Sequence, residues 1–347
     1  MSELPATTDV AIIGGGFAGA AMAWALARRG IASIVLEREA ELGKFASGRS
    51  AGLGRQLVDD DETTALTVRG AQLLRELGGV WRESGGVLTF DNAVDADAYL
   101  DRAKRFSVAI EQVATSAVAS WWPHLPDLSI AAALHVPSDG VIDIAGLLAA
   151  LVAGAEAGGA QIARSAGVTA IEPDSVGARL TTALGELEAR IVVDASGAWA
   201  GRLVGAPPLV ALKRHVYVVS GGVVDRAPWL WHLGEQELYV RGAADGVLIS
   251  PCDGVPVAAG HQEADAEGDA ALATRLGNST LAGAKVLGRW ACQRCFTPDL
   301  RMRIVSDRTR PWLVWAAGLG GHGATAATAV GERVADVVFQ TLNGTLA

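Results

Sequence analysis

The chain is poor in several features that would point to particular classes of protein. Only three of its 347 residues are cysteines, and so small an odd number builds no disulfide framework. Basic residues are outnumbered by acidic ones, 29 against 38, which gives a formal net charge of -9 at pH 7. No basic run interrupts this balance. Charge therefore gives no reason to expect nucleic acid as a partner.

Long uninterrupted hydrophobic segments are also missing. The uncharged window 144–155 is too short to cross a bilayer, and the window 311–331 contains a cluster of glycines and a histidine. The second window indicates a strand, a glycine turn and a helix. Residues 1–8 lack the charged and then apolar pattern of a signal peptide. We therefore expect a cytoplasmic protein without a membrane span.

The most informative stretch, 9–20, combines a short apolar run, a glycine cluster and the start of an alanine-rich helix. Its glycines fill the pattern G-x-G-x-x-G, which allows a tight turn, close approach to a pyrophosphate and close packing of helix on strand. A second strand, 31–36, ends in an acid about 20 residues further on, where the fingerprint expects an acceptor for an adenosine ribose. The sequence thus predicts a dinucleotide site formed by Gly14, Gly16, Phe17, Ala18, Gly19 and Glu37.

The rest of the chain divides into two kinds of pattern. Helices are predicted at 63–77, at 144–157 with Asp143 as N-cap, and at 324–342. The segment 118–128 is typical of a packed irregular stretch. Strand-rich segments at 209–222 and 246–259 show no alternation of strands and helices, which favours an antiparallel sheet in a second, substrate-binding domain.

Five blocks together resemble the FAD-dependent amine and amino-acid oxidoreductases of the D-amino-acid oxidase superfamily, which includes glycine oxidase, sarcosine oxidase and D-arginine dehydrogenase. Besides the fingerprint, they are the loop 47–51, the strand end 192–199, the segment 290–299 and the turn 316–323. The last two favour FAD over NAD, and 35–51 is especially similar to D-arginine dehydrogenase.

The resemblance implies an α/β fold, in which a Rossmann-type FAD-binding domain carries a discontinuous, mainly antiparallel α+β substrate domain. The implied FAD-binding domain comprises 1–80, 138–207 and 291–347. The implied substrate domain comprises 81–137 and 208–290.

The resemblance also implies FAD contacts beyond the fingerprint. The loop 38–55 would run along the cofactor, with the alternative of a solvated surface loop. Amides at the start of the last helix would face the flavin edge that becomes negative on reduction. The implied residues are Arg38, Ser47, Arg49, Ser50, Ala51, Val168, Ser196, Gly197, Trp199, Gly318, Gly320, Gly321, His322 and Gly323.

A substrate site is implied by the same comparison. Arg294 falls where the family holds an arginine over the flavin, and a guanidinium binds a carboxylate bidentately. Tyr239 and Arg241 match, more weakly, a position where a strand tyrosine touches the substrate carboxylate, although core packing of the tyrosine is an alternative. His322 is either a donor at the flavin edge or a turn histidine. A second carboxylate partner aligns with either Arg214 or His215.

Two departures from the sarcosine-oxidase-like pattern bear on the chemistry. Cys292 falls where such relatives carry a cysteine bonded to the flavin, but a buried free thiol is the alternative, and non-covalent FAD is favoured. No second cysteine pair exists to complete a zinc site with Cys292 and Cys295. The segment 246–260 also lacks the lysine that assists reaction with oxygen in those relatives.

The sequence therefore predicts an enzyme that oxidises the C–N bond of a small amino acid or amine, with D-amino acids favoured. A hydride would pass to flavin N5, and the imino acid would hydrolyse. Dehydrogenase is favoured over oxidase, while the acceptor is left open between a quinone, an electron-transfer protein and oxygen. Alternatives are an FAD-dependent 2-hydroxy-acid dehydrogenase, a non-catalytic flavin-binding subunit and an NAD enzyme.

Overall fold

The structure, a computed structural model, describes residues 4–126, 128–205, 209–221 and 227–343. Helices in these ranges include one short 3₁₀ helix, Gly197–Trp199. The α-helices are α1 (Phe17–Ala27), α2 (Asp61–Leu77), α3 (Ala93–Arg105), α4 (Thr115–Trp121), α5 (Ile144–Ala157), α6 (Ala266–Leu276) and α7 (Gly323–Leu342).

The strands of the described residues form two large sheets and one small sheet. They are β1 (Thr7–Ile13), β2 (Ser33–Leu36), β3 (Leu53–Gly54), β4 (Trp81–Glu83), β5 (Gly86–Phe90), β6 (Glu111–Gln112), β7 (Ala132–Val136), β8 (Gly140–Ile142), β9 (Gln161–Ala163), β10 (Val168–Pro173), β11 (Ala178–Thr182), β12 (Gly185–Asp194), β13 (Val210–Val219), β14 (Trp229–Leu233), β15 (Leu238–Ala243), β16 (Gly246–Ser250), β17 (Val255–Pro256), β18 (Val286–Phe296), β19 (Arg303–Ser306) and β20 (Leu313–Ala317).

The first large sheet has a parallel centre. Strand β1 lies between β12 and β2, β9 extends the sheet beyond β2, and β20 pairs in parallel with β12. Val10 and Ile12 pack against α1, α5 and α7, while Ala11 and Ile13 belong to a separate core cluster on the other face. Because both faces are covered, the strand is apolar without alternation. The parallel centre places the carboxyl ends of β1, β2 and β12 at one edge.

Helix α1 packs unusually closely because its residues are small, as the sequence predicted. All eleven residues are buried. A Cβ added to Gly331 of α7 would lie 2.5 Å from the carbonyl oxygen of Ala21, so the two helices approach to backbone contact. After α1, Gly30 adopts a φ of +68°, which suits glycine at a helix end.

The second large sheet has the order β17-β13-β16-β15-β14-β5-β7-β6, with β18 also paired to β13. Only the β14–β5 pair is parallel among these described strands. The predicted fold, a dinucleotide-binding sheet joined to a mainly antiparallel one, is confirmed. We call the face that carries Arg294 and Tyr239 the site face, and the face against α4 and α6 the rear face.

Several predicted elements are confirmed with small shifts of their ends. Helices α2, α5 and α7 match the predictions, and the Asp143 carboxylate accepts from the Gly146 amide at 3.0 Å as an N-cap. The expectation of an irregular stretch at 118–128 is wrong at its start, because α4 continues to Trp121. Val118, which is buried in the rear-face core, and a half-buried Trp121 favour this short helix.

Strand β18 differs from the predicted boundary at residue 291. It runs to Phe296 and pairs along its length with β13, so residues 291–296 belong to the second large sheet. The predicted boundary at 207–208 and the end of the predicted strand segment at Gly222 lie outside the described residues. The division into two domains stays a prediction.

Replacing Gly331 with alanine should lower the free energy of unfolding. The new methyl group would collide with the backbone of α1, and overpacking of this kind costs about 1–3 kcal/mol. Gly288→Ala is the matched control, because a Cβ there meets nothing within 4 Å. Urea denaturation of the two variants makes the comparison. Equal stability of the two variants would contradict the close contact of α1 and α7.

Candidate functional site

A cavity extends from the carboxyl edge of the first sheet to the site face of the second. Its walls come from the turn before α1, the end of β2, the loop that follows, the 3₁₀ helix, β18 and the turn before α7. The predicted cofactor residues that line it are Gly14, Gly16, Phe17, Ala18, Glu37, Arg38, Ser47, Ser50, Val168, Ser196, Gly197, Trp199, Gly318, Gly320, Gly321 and Gly323. Those outside its lining are Gly19, Arg49, Ala51 and His322.

The fingerprint glycines make the turn at one end of the cavity. Gly14 has a φ of +104°, and a Cβ there would lie 2.8 Å from the carbonyl oxygen of Ala195. A Cβ on Gly19 would overlap the carbonyl oxygen of Gly14, which explains why Gly19 serves packing and does not line the cavity. The N-terminus of α1 faces the cavity through Phe17 and Ala18. This arrangement favours a phosphate group.

Glu37 is held in place by two backbone amides. Its Oε2 accepts from Gly15 at 2.6 Å and its Oε1 accepts from Glu39 at 2.9 Å. The carboxylate nevertheless lines the cavity. Since each oxygen can accept further hydrogen bonds, a fixed carboxylate in this position suits the hydroxyl groups of a ribose.

An aromatic and cationic stack forms one wall of the cavity. The guanidinium carbon of Arg38 lies 3.9 Å from the ring centroid of Trp199 and 5.0 Å from that of Phe45. The Phe45 and Trp199 rings are 4.8 Å apart. Nearby, Ser47 Oγ accepts from the Phe17 amide at 2.9 Å. Phe45 was not predicted as a site residue. The sequence distinguishes it only as the single aromatic residue of the glycine- and serine-rich loop 38–55.

Arg49 connects the loop to the second sheet. Its Nη1 donates to the carbonyl oxygens of Gln262 and Ala291, both at 2.7 Å, and its own carbonyl accepts from Trp290 Nε1 at 2.9 Å. These contacts occupy the guanidinium outside the cavity lining. They give Arg49 a structural role that the sequence did not suggest, and a contact with phosphate or ribityl oxygens stays a prediction.

The turn before α7 closes the other end of the cavity. Gly318, Gly320 and Gly321 all have positive φ angles, of 73°, 56° and 89°. The Gly320 amide donates to the carbonyl oxygen of Cys295 at 3.0 Å and ties the turn to β18. Gly323 and Ala324, the first residues of α7, line the cavity. A second helix N-terminus therefore directs its positive end toward the same space as α1.

Arg294 lies where this turn meets the site face. A Cβ on Gly321 would be 2.9 Å from Arg294 Cδ, so the side chain crosses directly over the turn. Its Nη2 donates to the Tyr239 hydroxyl at 3.3 Å. Among the described residues no carboxylate pairs with Arg294, although the side chain is half-buried. The guanidinium thus keeps donors for an anion, which a buried charge needs for stability.

Successive side chains of β13 point to opposite faces of the sheet, so Arg214 and His215, the two candidates for a second carboxylate partner, lie on different faces. Arg214 shares the site face with Val216, which packs with Tyr239, while His215 shares the rear face with Tyr217. His215 is fully buried and binds Asp253. The structure therefore brings Arg214, and not His215, to the side of the sheet that carries Arg294.

Arg241 lies on the site face two residues beyond Tyr239. Its Nε donates to the carbonyl oxygen of Ala51 at 2.6 Å and its Nη1 donates to that of Gly242 at 2.8 Å. Burial lowers the pKa of Arg241. The side chain holds the cofactor loop against the sheet and lies outside the cavity lining, so its contact with substrate stays a prediction.

His322 caps α7 beside a buried arginine that the sequence analysis missed. Burial lowers the pKa of His322 to about 4, and the nearby charge of Arg55 acts in the same direction. The imidazole is therefore neutral at neutral pH. Arg55 is itself 5% exposed, donates from Nη2 to the Tyr99 hydroxyl at 2.6 Å and lies 4.6 Å from the Trp231 ring centroid. Arg55 is the last residue of the loop 38–55, whose sequence shows no periodicity, so no pattern predicted its burial.

The three cysteines are free thiols near the site. Cys292 and Cys295 line the cavity, whereas Cys252 packs with Tyr239. Burial raises the pKa of Cys252 to about 12 and that of Cys295 to about 11, so both are protonated at neutral pH. Non-covalent binding of FAD, with a covalent bond to Cys292 as the alternative, stays a prediction. The described part of the chain holds no group of three or more residues suited to a metal ion.

The fold and the cavity together define a dinucleotide-binding protein in which an arginine-bearing antiparallel sheet closes the site. Residues 9–337 match the DAO family, described as FAD dependent oxidoreductase, and the chain belongs to this family. By the description of this family, the chain is an FAD-dependent oxidoreductase, and FAD is its cofactor. The tight glycine turn at Gly14, the fixed Glu37 and the two helix N-termini fit that cofactor.

Known proteins resemble the chain over parts of their length. It is 30% identical over 237 residues to mouse (Mus musculus) mitochondrial sarcosine dehydrogenase, covering 62% of this chain but only 26% of that protein. It is 32% identical over 237 residues to glycine oxidase of Geobacillus kaustophilus (strain HTA426), covering 63% of this chain and 62% of the relative. The crystal structure of L-proline dehydrogenase from P. horikoshii shares the fold, with a TM-score of 0.88 and 22% identity over 97% of this chain and 94% of that one.

Among the described residues, no helix is both long enough and apolar enough to cross a bilayer.

Substitution of Gly16 by valine should give a protein that purifies without flavin. A Cβ there would lie 2.9 Å from Ser47 Oγ, and the branched side chain would occupy the space beside the N-terminus of α1. The FAD content after purification, read from the visible absorbance per protein, measures the effect. Gly288→Val serves as a control, since Gly288 faces open space. Full flavin occupancy in Gly16→Val would remove this turn from the cofactor site.

Proposed function

We propose that this chain oxidises the C–N bond of a small amino acid or amine whose carboxylate is held by Arg294, with D-amino acids favoured. The observation that carries the proposal is the half-buried guanidinium of Arg294, which lies at the end of the cofactor cavity without a carboxylate partner among the described residues. A substrate carboxylate would supply the missing charge. Names of the relatives, sarcosine dehydrogenase and glycine oxidase, refer to substrates of this size and chemistry.

The surrounding side chains suit a carboxylate. Tyr239 is 1% exposed and presents its hydroxyl to Arg294, so it can donate to the same anion. Arg214 lies on β13, the strand next to β18, and on the same face as Arg294. Only its Nε makes a hydrogen bond to the described residues. A guanidinium fork and a phenol hydroxyl together fix both the position and the plane of a carboxylate.

Positioning is the main contribution of the protein to the reaction. When bound, FAD would supply at its N5 the two-electron acceptor for a hydride from the substrate Cα. The substrate amine reacts in its neutral form, because its lone pair assists departure of the hydride. Arg294 and Tyr239 orient the Cα, and such orientation provides a large part of the rate. No side-chain base is required, because the neutral amine already carries the lone pair that assists departure of the hydride.

The preference for D-amino acids comes from the family resemblance as a whole, because the similarity of 35–51 to D-arginine dehydrogenase is a local match that does not fix the substrate. In the structure this segment carries Glu37 and Ser47 along the cavity. A panel of D- and L-amino acids and N-methylated amino acids, mixed anaerobically with the protein, tests both chirality and substrate class through bleaching of the flavin absorbance. 2-Hydroxy acids belong in the same panel, because bleaching by them alone would point to a hydroxy-acid dehydrogenase.

Arg294→Lys and Arg294→Ala should both reduce kcat/KM for the best substrate by roughly tenfold or more, while FAD stays bound. A hydrogen bond to a charged group contributes about 1.5–3 kcal/mol, and lysine cannot form the bidentate fork. Steady-state kinetics with an artificial acceptor measure the loss. Arg289→Ala is the control on the same strand, since Arg289 pairs with Asp269 on the rear face. Unchanged kinetics in both Arg294 variants would remove this residue from the site.

We further propose that the electron acceptor is a quinone or an electron-transfer protein and not oxygen. Strands β16 and β17 carry no lysine, and Lys213 on neighbouring β13 points to the rear face, where it pairs with Asp265. No ammonium group from these strands thus lies at the site face to assist oxygen.

Reduced enzyme mixed rapidly with oxygenated buffer should reoxidise more slowly than it turns over with an artificial quinone. Without such a lysine, β13, β16 and β17 offer no ammonium group on the site face to stabilise the negative charge that develops on oxygen. Stopped-flow absorbance of the flavin gives the rate. Reoxidation by oxygen as fast as turnover would identify an oxidase instead.

A further inference from the structure

We infer that Asp253 and His215 are positioning residues, which act from the rear face of the second sheet to hold Arg214 in the anion site. The inference rests on the proposed function for the identity of that anion, a substrate carboxylate. It assigns a role to a buried polar cluster that neither the cofactor nor the substrate touches.

Arg214 and Arg294 are like charges on adjacent strands and on the same face of the sheet. The register of β13 and β18 sets Arg214 opposite Cys292 and sets Arg294 opposite Leu212, so the two arginines are diagonal neighbours on one face. Such neighbours lie about 7–8 Å apart. Neither side chain has a carboxylate partner among the described residues. Mutual repulsion would therefore turn Arg214 away from the site unless another contact holds it.

The contact that holds Arg214 is the main chain of Asp253. Arg214 Nε donates to the Asp253 carbonyl oxygen at 3.0 Å, and no other hydrogen bond of the Arg214 side chain is seen in the described residues. One fixed nitrogen leaves both terminal nitrogens of the guanidinium available. The direction of the side chain thus depends on where this carbonyl points.

The carbonyl belongs to a strained turn. Cys252, the preceding residue, has a φ of +52°, a left-handed conformation that is costly for a residue other than glycine. Ser250 Oγ accepts from the Cys252 amide at 3.3 Å and donates to the His215 carbonyl oxygen at 2.7 Å. Strain of this kind persists only where neighbouring contacts fix the backbone.

The strongest of these contacts join Asp253 to His215. The Asp253 carboxylate accepts from the His215 amide at 2.9 Å and from its Nδ1 at 2.7 Å. This two-point attachment fixes the side chain of Asp253 and, through it, the orientation of its carbonyl. The arginine on the site face is thereby linked to an imidazole on the rear face by one residue.

His215 cannot readily move. Its ring is fully buried, and it lies against Gly268 of α6 so closely that a Cβ on that glycine would overlap the ring. On the far side, Nε2 lies 3.2 Å from an Asp265 carboxylate oxygen, and Asp265 in turn pairs with Lys213. The other charged groups here belong to Asp269 and Arg289, which pair with each other beside Tyr217. Gly268 and Asp265 therefore hold the His215 ring in place, whereas Asp269 and Arg289 do not contact it.

A double-mutant cycle on the FAD-loaded protein tests the inference. Acetate serves as the carboxylate probe, and its dissociation constant comes from the change that it causes in the flavin absorbance. Arg214→Met should weaken acetate binding roughly tenfold, as expected for loss of a charged hydrogen bond. Asp253→Ala and His215→Leu should each approach that loss. In the Arg214→Met background, Asp253→Ala should add nothing, because it acts only through the arginine.

Matched variants separate positioning from general damage. Asp253→Asn keeps an acceptor for the backbone amide and should restore much of the affinity. Asp269→Ala removes a rear-face acid that contacts neither Asp253 nor Arg214, and should leave acetate binding unchanged. Bound FAD and the melting temperature are recorded for each variant. If Asp253→Ala does not retain FAD, His215→Leu completes the same cycle.

Two outcomes would overturn the inference. One is an undiminished affinity for acetate in both Asp253→Ala and His215→Leu. The other is an equal loss with and without Arg214, which would show a structural effect independent of the arginine. Failure of the proposed function is distinguishable, since it would appear as a flavin that no amino acid bleaches. If Arg294→Lys weakened acetate binding and the Arg214, Asp253 and His215 variants did not, the result would support that function and contradict this inference.

Discussion

The structure depends first on the contact between the turn after β1 and the start of α1. Gly19 packs against the carbonyl group of Gly14, and Gly14 packs against the backbone of Ala195, so neither position has room for a side chain. This contact lets α1 lie flat on the sheet, where α5 and α7 enclose it. The parallel pairing of β1 with β2 and β12 then brings Glu37 and Ser196 to the same edge. The cofactor cavity is a direct consequence of this packing.

A second constraint is the uncompensated positive charge on the site face. A buried guanidinium without a partner is costly, and an anion from outside the chain offsets that cost. Arg294 and Arg214 lie on adjacent strands of this face, and the hydroxyl of the buried Tyr239 accepts from Arg294. The same charges that select a carboxylate would also place its Cα in a fixed position, so binding and orientation have one physical origin.

Sequence patterns predicted the features that follow from local spacing. The strand, turn and helix of the fingerprint, the N-cap of α5 at Asp143 and the antiparallel character of the second sheet all follow from short-range rules. The structure confirms these three features. Family resemblance pointed to Arg294, which the structure places at the cavity wall.

Features that depend on long-range contacts could not be predicted in this way. The choice between Arg214 and His215 needs the register and facing of β13, which a single strand does not reveal. The burial of Arg55 and the stacking of Phe45 arise in a loop without periodicity. The contacts of Arg49 with the backbone oxygens of Gln262 and Ala291 join segments that are far apart in the sequence, so the loop sequence alone does not reveal them.

The central claim is that the cofactor cavity ends in a carboxylate site centred on Arg294. A crystal structure of the FAD-loaded protein with acetate tests it most directly. The account predicts acetate bound bidentately by the Arg294 guanidinium, with the Tyr239 hydroxyl and Arg214 within hydrogen-bonding distance. An Arg294 side chain directed away from the flavin, with acetate absent from this face or bound elsewhere in the cavity, would contradict it.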